Sequence, residues 1–163
     1  MRLDSPIVRK ALGQVYAEQR AHEKAVAQFR LAHAGQPNDE ETHRALVASC
    51  DALRWPDEAV LQVLALSELL PRDVPLRRDL YERLRAMGKT DEAERAATAI
   101  VEAAPTEAES HQAIAALRQE QDRWQEAVPH WRRVAELRAL EPTGLLGLAT
   151  AQLHLGQGAD AKA

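Results

Sequence analysis

Apolar residues recur along this chain at intervals of three and four, the spacing that lays one face of a helix against a core. Leu12, Val15 and Tyr16 follow it, with Gln19 on the same face, and after a short break so do Ala25, Val26, Phe29 and Ala32. The two-helix pattern then returns. Leu12, Leu46, Leu80, Ile114 and Leu148 stand 34 residues apart, as do Ala25, Ala59, Ala93, Ala127 and Ala161, and Pro37, Pro71 and Pro105. Three rulers in one register predict helix pairs at 6–39, 40–73, 74–107 and 108–141, with a partial fifth at 142–163. In each pair a helix A and a helix B are joined by a turn, marked by Arg54-Trp55-Pro56, Gly88-Lys89-Thr90 and Gly156-Gln157-Gly158. B helices should stop just before the ruler prolines, which lack the N–H a helix needs. New A helices are expected at Ser5-Pro6 and at Thr106-x-x-Glu109, the latter as a capping box.

Composition agrees with helix and narrows the function. Alanine makes up about a fifth of the chain, aromatic residues are 4% and hydrophobic residues 45%. Alanine and leucine lose little on entering a helix. The alanine ruler falls where helix B crosses helix A, so a methyl group there lets the two backbones approach. A formal charge of −4 argues against a broad phosphate-binding surface, and hence against nucleic acid. The single cysteine rules out an internal disulfide and is merely compatible with the cytoplasm. No apolar run approaches the ~20 residues that span a bilayer, so membrane insertion is not expected.

The first pair carries Leu12-Gly13, Tyr16, Ala25, Phe29, Ala32 and Pro37, with Arg9 at the position before them. The second keeps Leu46, Ala59 and Pro71, the third Leu80, Ala93 and Pro105, the fourth Ile114, Ala127 and Trp131. This resembles the tetratricopeptide repeat (TPR) family, whose 34-residue pattern is Trp-x2-Leu-Gly-x2-Tyr, then Ala-x3-Phe, Ala and Pro. Arg9 stands for the family tryptophan, and Ala139 stands where the fourth proline would fall. The resemblance implies an all-α, right-handed α-solenoid of stacked antiparallel helix pairs, in which stability comes from neighbour-to-neighbour packing. Pro129, a turn into the fourth helix B, should bend that helix or cost it a hydrogen bond. The apolar last helix A (Leu145, Leu146, Leu148, Leu153 and Leu155) and the helix-like Met1-Arg2-Leu3-Asp4 read as cuts through a longer array.

Catalytic chemistry is sparse. No phosphate loop, dinucleotide fingerprint, H-E-x-x-H or G-x-S-x-G occurs. His43 and His111 occupy the position of the family tryptophan and are expected as spacers rather than ligands. Cys50 reads as a buried small hydrophobe. Trp131 reads as core, while Trp55 and Trp124 are expected to cover an edge or meet a partner. Asp57-Glu58 and Asp91-Glu92 suit the positive ends of their helices. No enzyme activity, metal or cofactor is expected.

Lys10, Arg44 and Arg78 share one helix A position, which in the TPR family faces the concave groove. With Gln14, Glu82 and Arg85 they are candidate groove residues, able to pair with a ligand's carboxylates. The competing reading makes Glu41–Arg44 and Arg78–Glu82 ordinary pairs within a helix. The family's clamp for chaperone C-termini matches at Lys10 and approximately at Gln14, but fails at Ala45, Pro75 and Asp79. The expectation is a non-catalytic scaffold that binds a protein or peptide in its groove. Two alternatives stand beside it: self-assembly through an apolar face of Leu146, Leu153 and Leu155, and a substrate-recruiting arm of a larger enzyme.

Overall fold

A computed structural model of the chain describes residues 5–156. The readings placed on residues 1–4, on Gln157 and Gly158, and on Ala161 lie outside these. Among the described residues the structure is all-α, with nine helices and no strand. The chain divides into two compact units, Met1–Lys89 and Thr90–Ala163.

The first unit holds α1 (Pro6–Glu18), α2 (His22–Gly35), α3 (Glu40–Leu53), α4 (Pro56–Leu69) and α5 (Val74–Ala86). Consecutive helices pack on one another, and α1 also touches α3. Its core gathers Ala25, Val26, Phe29, Leu46, Cys50 and Ala59, with Tyr16, Leu53 and Trp55 packed against it. The second unit holds α6 (Thr90–Ala103), α7 (Ala108–Glu120), α8 (Trp124–Leu137) and α9 (Pro142–His154). Here Ala115, Ala127, Trp131, Val134 and Ala151 form the core. Ala25, Ala59, Ala93 and Ala127 are all fully buried, at 0% exposure, so each ruler alanine has no room for a larger side chain. Gly13 is subject to the same crowding: a Cβ there would come 2.6 Å from the Phe29 ring.

Helix starts follow a different signal from the one expected at residue 106. Asp39 and Asp73 are the N-caps of α3 and α5, accepting from the backbone N–H of Thr42 at 3.1 Å and of Leu76 at 3.0 Å. The Thr106 capping box does not form. Thr106 lies inside a turn, and α7 starts at Ala108 with Glu107 as an N-cap that makes no side-chain cap bond. Ser5 precedes Pro6 as expected, though its hydroxyl makes no cap bond. Pro129 lies within α8, which runs through it without a break.

Helix A ends carry a regularity that residue types conceal. Arg20, Arg54, Gly88, Asp122 and Gly156, again 34 apart, all have a left-handed backbone with φ between 58° and 74°. The N–H of each bonds back to the third residue before it, from Arg20 to Ala17 and from Arg54 to Asp51, for example. The next N–H reaches five residues back, from Ala21 to Tyr16 and from Trp55 to Cys50. This is the left-handed cap that satisfies the last carbonyls of a helix.

Candidate functional site

In α3, α5 and α7 the repeat places one residue of the helix beside the loop that precedes it. His43 Nε2 lies 2.8 Å from the Pro37 carbonyl oxygen, Arg77 Nε 3.0 Å from that of Pro71, and His111 Nε2 3.0 Å from that of Pro105. A carbonyl only accepts, so each of these nitrogens donates. The loop carbonyl is thereby satisfied inside a bend that has no other ladder. The same position also reaches its own helix B, 19 residues on. Arg9 Nη1 donates to Gln28 Oε1 at 2.9 Å, and His43 Nδ1 lies 2.8 Å from Gln62 Oε1. His111 Nδ1 lies 3.1 Å from His130 Nδ1. Burial, then the charges of Arg118 and His111, push the His130 ring down to about 4, so at neutral pH it is uncharged. These rings are structural ties, and burial likewise pushes His33, edge-on to His43 at 4.8 Å between centroids, below its ordinary value. Among the described residues no group of three or more His, Cys, Asp or Glu side chains is placed to hold a metal ion. No described helix is long and apolar enough to cross a membrane.

The candidate groove cations of the first unit are engaged across successive A helices. Lys10 of α1 bonds Glu41 of α3 at 2.7 Å and the α3 N-cap Asp39 at 3.2 Å. The Glu41 contact, followed by that to Asp39, raises the Lys10 ammonium above its ordinary value. Asp39 is lowered, first by the Thr42 hydroxyl and then by Lys10. Gln14 donates to the other Glu41 oxygen at 3.2 Å. Arg44 of α3 bonds Glu40 at 2.8 Å and lies 3.6 Å from Asp73, the N-cap of α5. The partner of Arg44 on its own helix is thus Glu40, and Glu41 serves the neighbouring helix instead. Arg78 is half-buried, while Glu82 and Arg85 are exposed on α5. Sequence reasoning singled out the cations, gave Glu41 to Arg44 rather than to Lys10, and missed the caps Asp39 and Asp73. The signal was present in Pro37-x-Asp39 and Pro71-x-Asp73, where a cap lies two residues after each ruler proline.

Between α3 and α5 the groove is closed by a further bridge. Arg83 Nη1 and Nη2 grip the two Asp51 oxygens at 2.6 and 2.7 Å, and Arg83 Nε bonds Asp79 at 2.9 Å. The Asp51 contact does most to raise the guanidinium's affinity for its proton. Between α1 and α3 the equivalent positions, 34 residues earlier, hold Ala17 and Ser49. There a cavity of about 250 Å³ opens, lined by Gln14, Ala17, Glu18, His22, Phe29, Ala45, Ala48 and Ser49.

The remaining singled-out residues are structural in position. Cys50 is buried, and burial, with Glu58 next, pushes its thiol up, away from the reactive thiolate. Trp131 is buried in the second core. Trp55 stands at the head of α4 against the first core, and Trp124 stacks flat on His154 of α9 at 3.8 Å. Asp57-Glu58 and Asp91-Glu92 occupy the first turns of α4 and α6. On α9, Leu145, Leu146 and Leu153 are exposed, but Leu155 is half-buried, which reduces its share in any apolar face.

No family model matches the chain, and no curated protein does so either. Solved structures do. A crystal structure of MamA protein superposes with a TM-score of 0.68 at 11% identity, covering 98% of this chain and 87% of that one. A MamA AMB-1 crystal form gives 0.63 at 24% identity, over 83% and 74% of the two chains. A MamA RS-1 double mutant gives 0.64 at 15%, over 98% and 89%. At these identities the likeness establishes the fold: the chain has an all-α helical-repeat fold of the α-solenoid class, similar to that of MamA.

Proposed function

We propose that the chain is a non-catalytic protein-interaction module of the tetratricopeptide type. It binds a peptide or helix of a partner protein in the groove built by its A helices. The repeats are 6–39, 40–73, 74–107 and 108–141, with a partial one at 142–163, and the contacting residues are Lys10, Gln14, Arg44, Arg78, Glu82 and Arg85. One observation carries this reading. In the first unit successive A helices contribute to a single polar surface, with α1 reaching α3 through Lys10 and Gln14, and α3 reaching the head of α5 through Arg44. A surface assembled from the same register of consecutive helices suits an elongated ligand laid across them.

The test is selection of displayed random peptides on the purified chain, followed by titration of the selected peptides. Arg44→Glu with Arg78→Glu should weaken binding, while Arg132→Glu, exposed on α8, should not. Equal affinity for all three proteins would count against the groove. A second reading, self-assembly, is favoured by the exposed leucines of α9, since Leu146 is 64% and Leu153 59% exposed. Sedimentation then shows a mass that rises with concentration and is reset to the monomer by Leu146→Asp with Leu153→Asp. A constant monomer mass rejects that reading.

A further inference from the structure

The cavity between α1 and α3 exists because two positions are small, and the next gap shows what otherwise fills that space. Asp51 and Arg83 occupy the equivalent places between α3 and α5 and lock into a two-pronged ion pair. Ala17 and Ser49 cannot reach each other in that way, so the α1–α3 gap stays open over the Phe29 ring. The space opens to solvent past the exposed Ala48 and Glu18, so a side chain from another molecule can enter it. At about 250 Å³ the space is smaller than the roughly 300–1,000 Å³ of small-molecule and cofactor pockets. It suits one side chain. Apolar surface from Ala17, Ala45, Ala48 and Phe29 dominates the lining over the polar Gln14, Glu18, His22 and Ser49, which favours an aliphatic one.

The mouth of the cavity decides the neighbouring charge. Lys10 is held by Asp39 and Glu41, and Arg44 by Glu40 and Asp73, none of which lines the cavity. Glu18, exposed at the rim, pairs with none of the described cations. At this rim alone an acidic group of the ligand would meet repulsion, and a basic one would find an unpaired carboxylate.

We infer that this cavity receives a single leucine- or methionine-sized side chain of an extended partner peptide, with a lysine or arginine beside it held by Glu18. The inference rests on the groove reading above and specifies the ligand of that groove. A bidentate grip is open to arginine, and the ion pair is exposed, so salt weakens it.

The experiment uses the full chain, isotopically labelled, and three synthetic peptides on one Gly/Ser background, carrying Leu-Lys, Ala-Lys or Leu-Glu at the centre. NMR titration with the Leu-Lys peptide should shift the methyl signals of Ala17, Ala45 and Ala48. The Ala-Lys peptide should bind about 10–100-fold more weakly, as loss of one buried aliphatic side chain requires. The Leu-Glu peptide should bind more weakly than Leu-Lys, with the gap closing at high salt. Ala17→Asp with Ser49→Arg, which copies the Asp51–Arg83 bridge into this gap, should abolish the leucine preference. Ala48→Leu, which fills the cavity from one wall, should do the same in a chain whose circular dichroism and melting temperature match the parent.

A Leu-Lys response unchanged by Ala48→Leu, or equal to that of Ala-Lys, overturns the inference. So does a Leu-Glu peptide that binds as well as Leu-Lys. If peptides shift Glu82 and Arg85 of α5 without any leucine preference, the groove reading stands and only the cavity assignment falls. If none of the peptides shifts any A-helix residue, the cavity assignment falls, while the groove reading is decided by the random-peptide selection.

Discussion

The two gaps of the first unit share a backbone pattern and differ in what they hold. Between α3 and α5 the register pair is Asp51 and Arg83, and the gap is shut by a guanidinium gripping one carboxylate through two nitrogens and another through Nε. Between α1 and α3 the same pair is Ala17 and Ser49, and the gap is open. The lesson concerns repeats in general. A repeating backbone supplies the same place many times, and side-chain length at two positions decides whether it becomes a clamp or a socket. Because each repeat meets only its neighbours, one gap can change without disturbing the next.

The comparison is broken most forcefully by removing the clamp. Arg83→Ala leaves Asp51 and Asp79 without their shared cation, and should cost about 1–2 kcal/mol in urea unfolding, the upper end for a bidentate but partly exposed ion-pair network. Ser49→Ala, at the equivalent place in the open gap, should cost less than about 1 kcal/mol, because Ser49 has no such bridge to lose. Equal losses at the two positions would show that the gaps are energetically alike.

The next effect belongs to the caps that flank both gaps. Asp39→Ala removes the N-cap of α3 and one partner of Lys10, and should cost about 1 kcal/mol. Asp39→Asn keeps a good cap and removes the titration together with the negative charge beside Lys10. Because the Thr42 hydroxyl and Lys10 hold Asp39 below its ordinary 3.8 in the folded chain, its contribution is complete above that value. It is lost as pH falls through the folded-state value. The acid limb of a stability–pH curve should therefore be shallower in Asp39→Asn than in the parent.

A second register with unlike contents sharpens the point. Gln62 meets His43, while His130 meets His111 at the same spacing. A His130 ring lowered from 6.5 to about 4 costs the folded state nothing above pH 6.5, where it is neutral in both states, and penalises it increasingly as pH falls from 6.5 to 4. His130→Gln, which copies the Gln62 arrangement, should flatten stability across that interval. An unchanged slope would mean that His130 is not buried as described. The smallest effect is at the turn closing α3: Arg54→Gly relieves a left-handed backbone and should stabilise by about 0.5–1 kcal/mol.

Much of this was legible in the chain, and the exceptions have physical causes. The alanines at 25, 59, 93 and 127 announced close helix crossings, because only a methyl fits where two backbones approach. The left-handed caps were not announced. Glycine signals such a turn at residues 88 and 156, but Arg20, Arg54 and Asp122 adopt the same backbone under the pull of the repeat. The cationic row was visible as Lys10 and Arg44, yet its neutralisation was not, because Glu41 and Asp73 belong to the following helix A and meet it only after stacking.

Sequence by itself determined the period, the helix pairs' apolar faces and the class of fold, since periodicity and residue size act locally along the chain. Tertiary structure alone decided which charges are neutralised within the chain and which gap stays open. Both depend on side chains about 30 residues apart being brought face to face, and on whether they are long enough to touch.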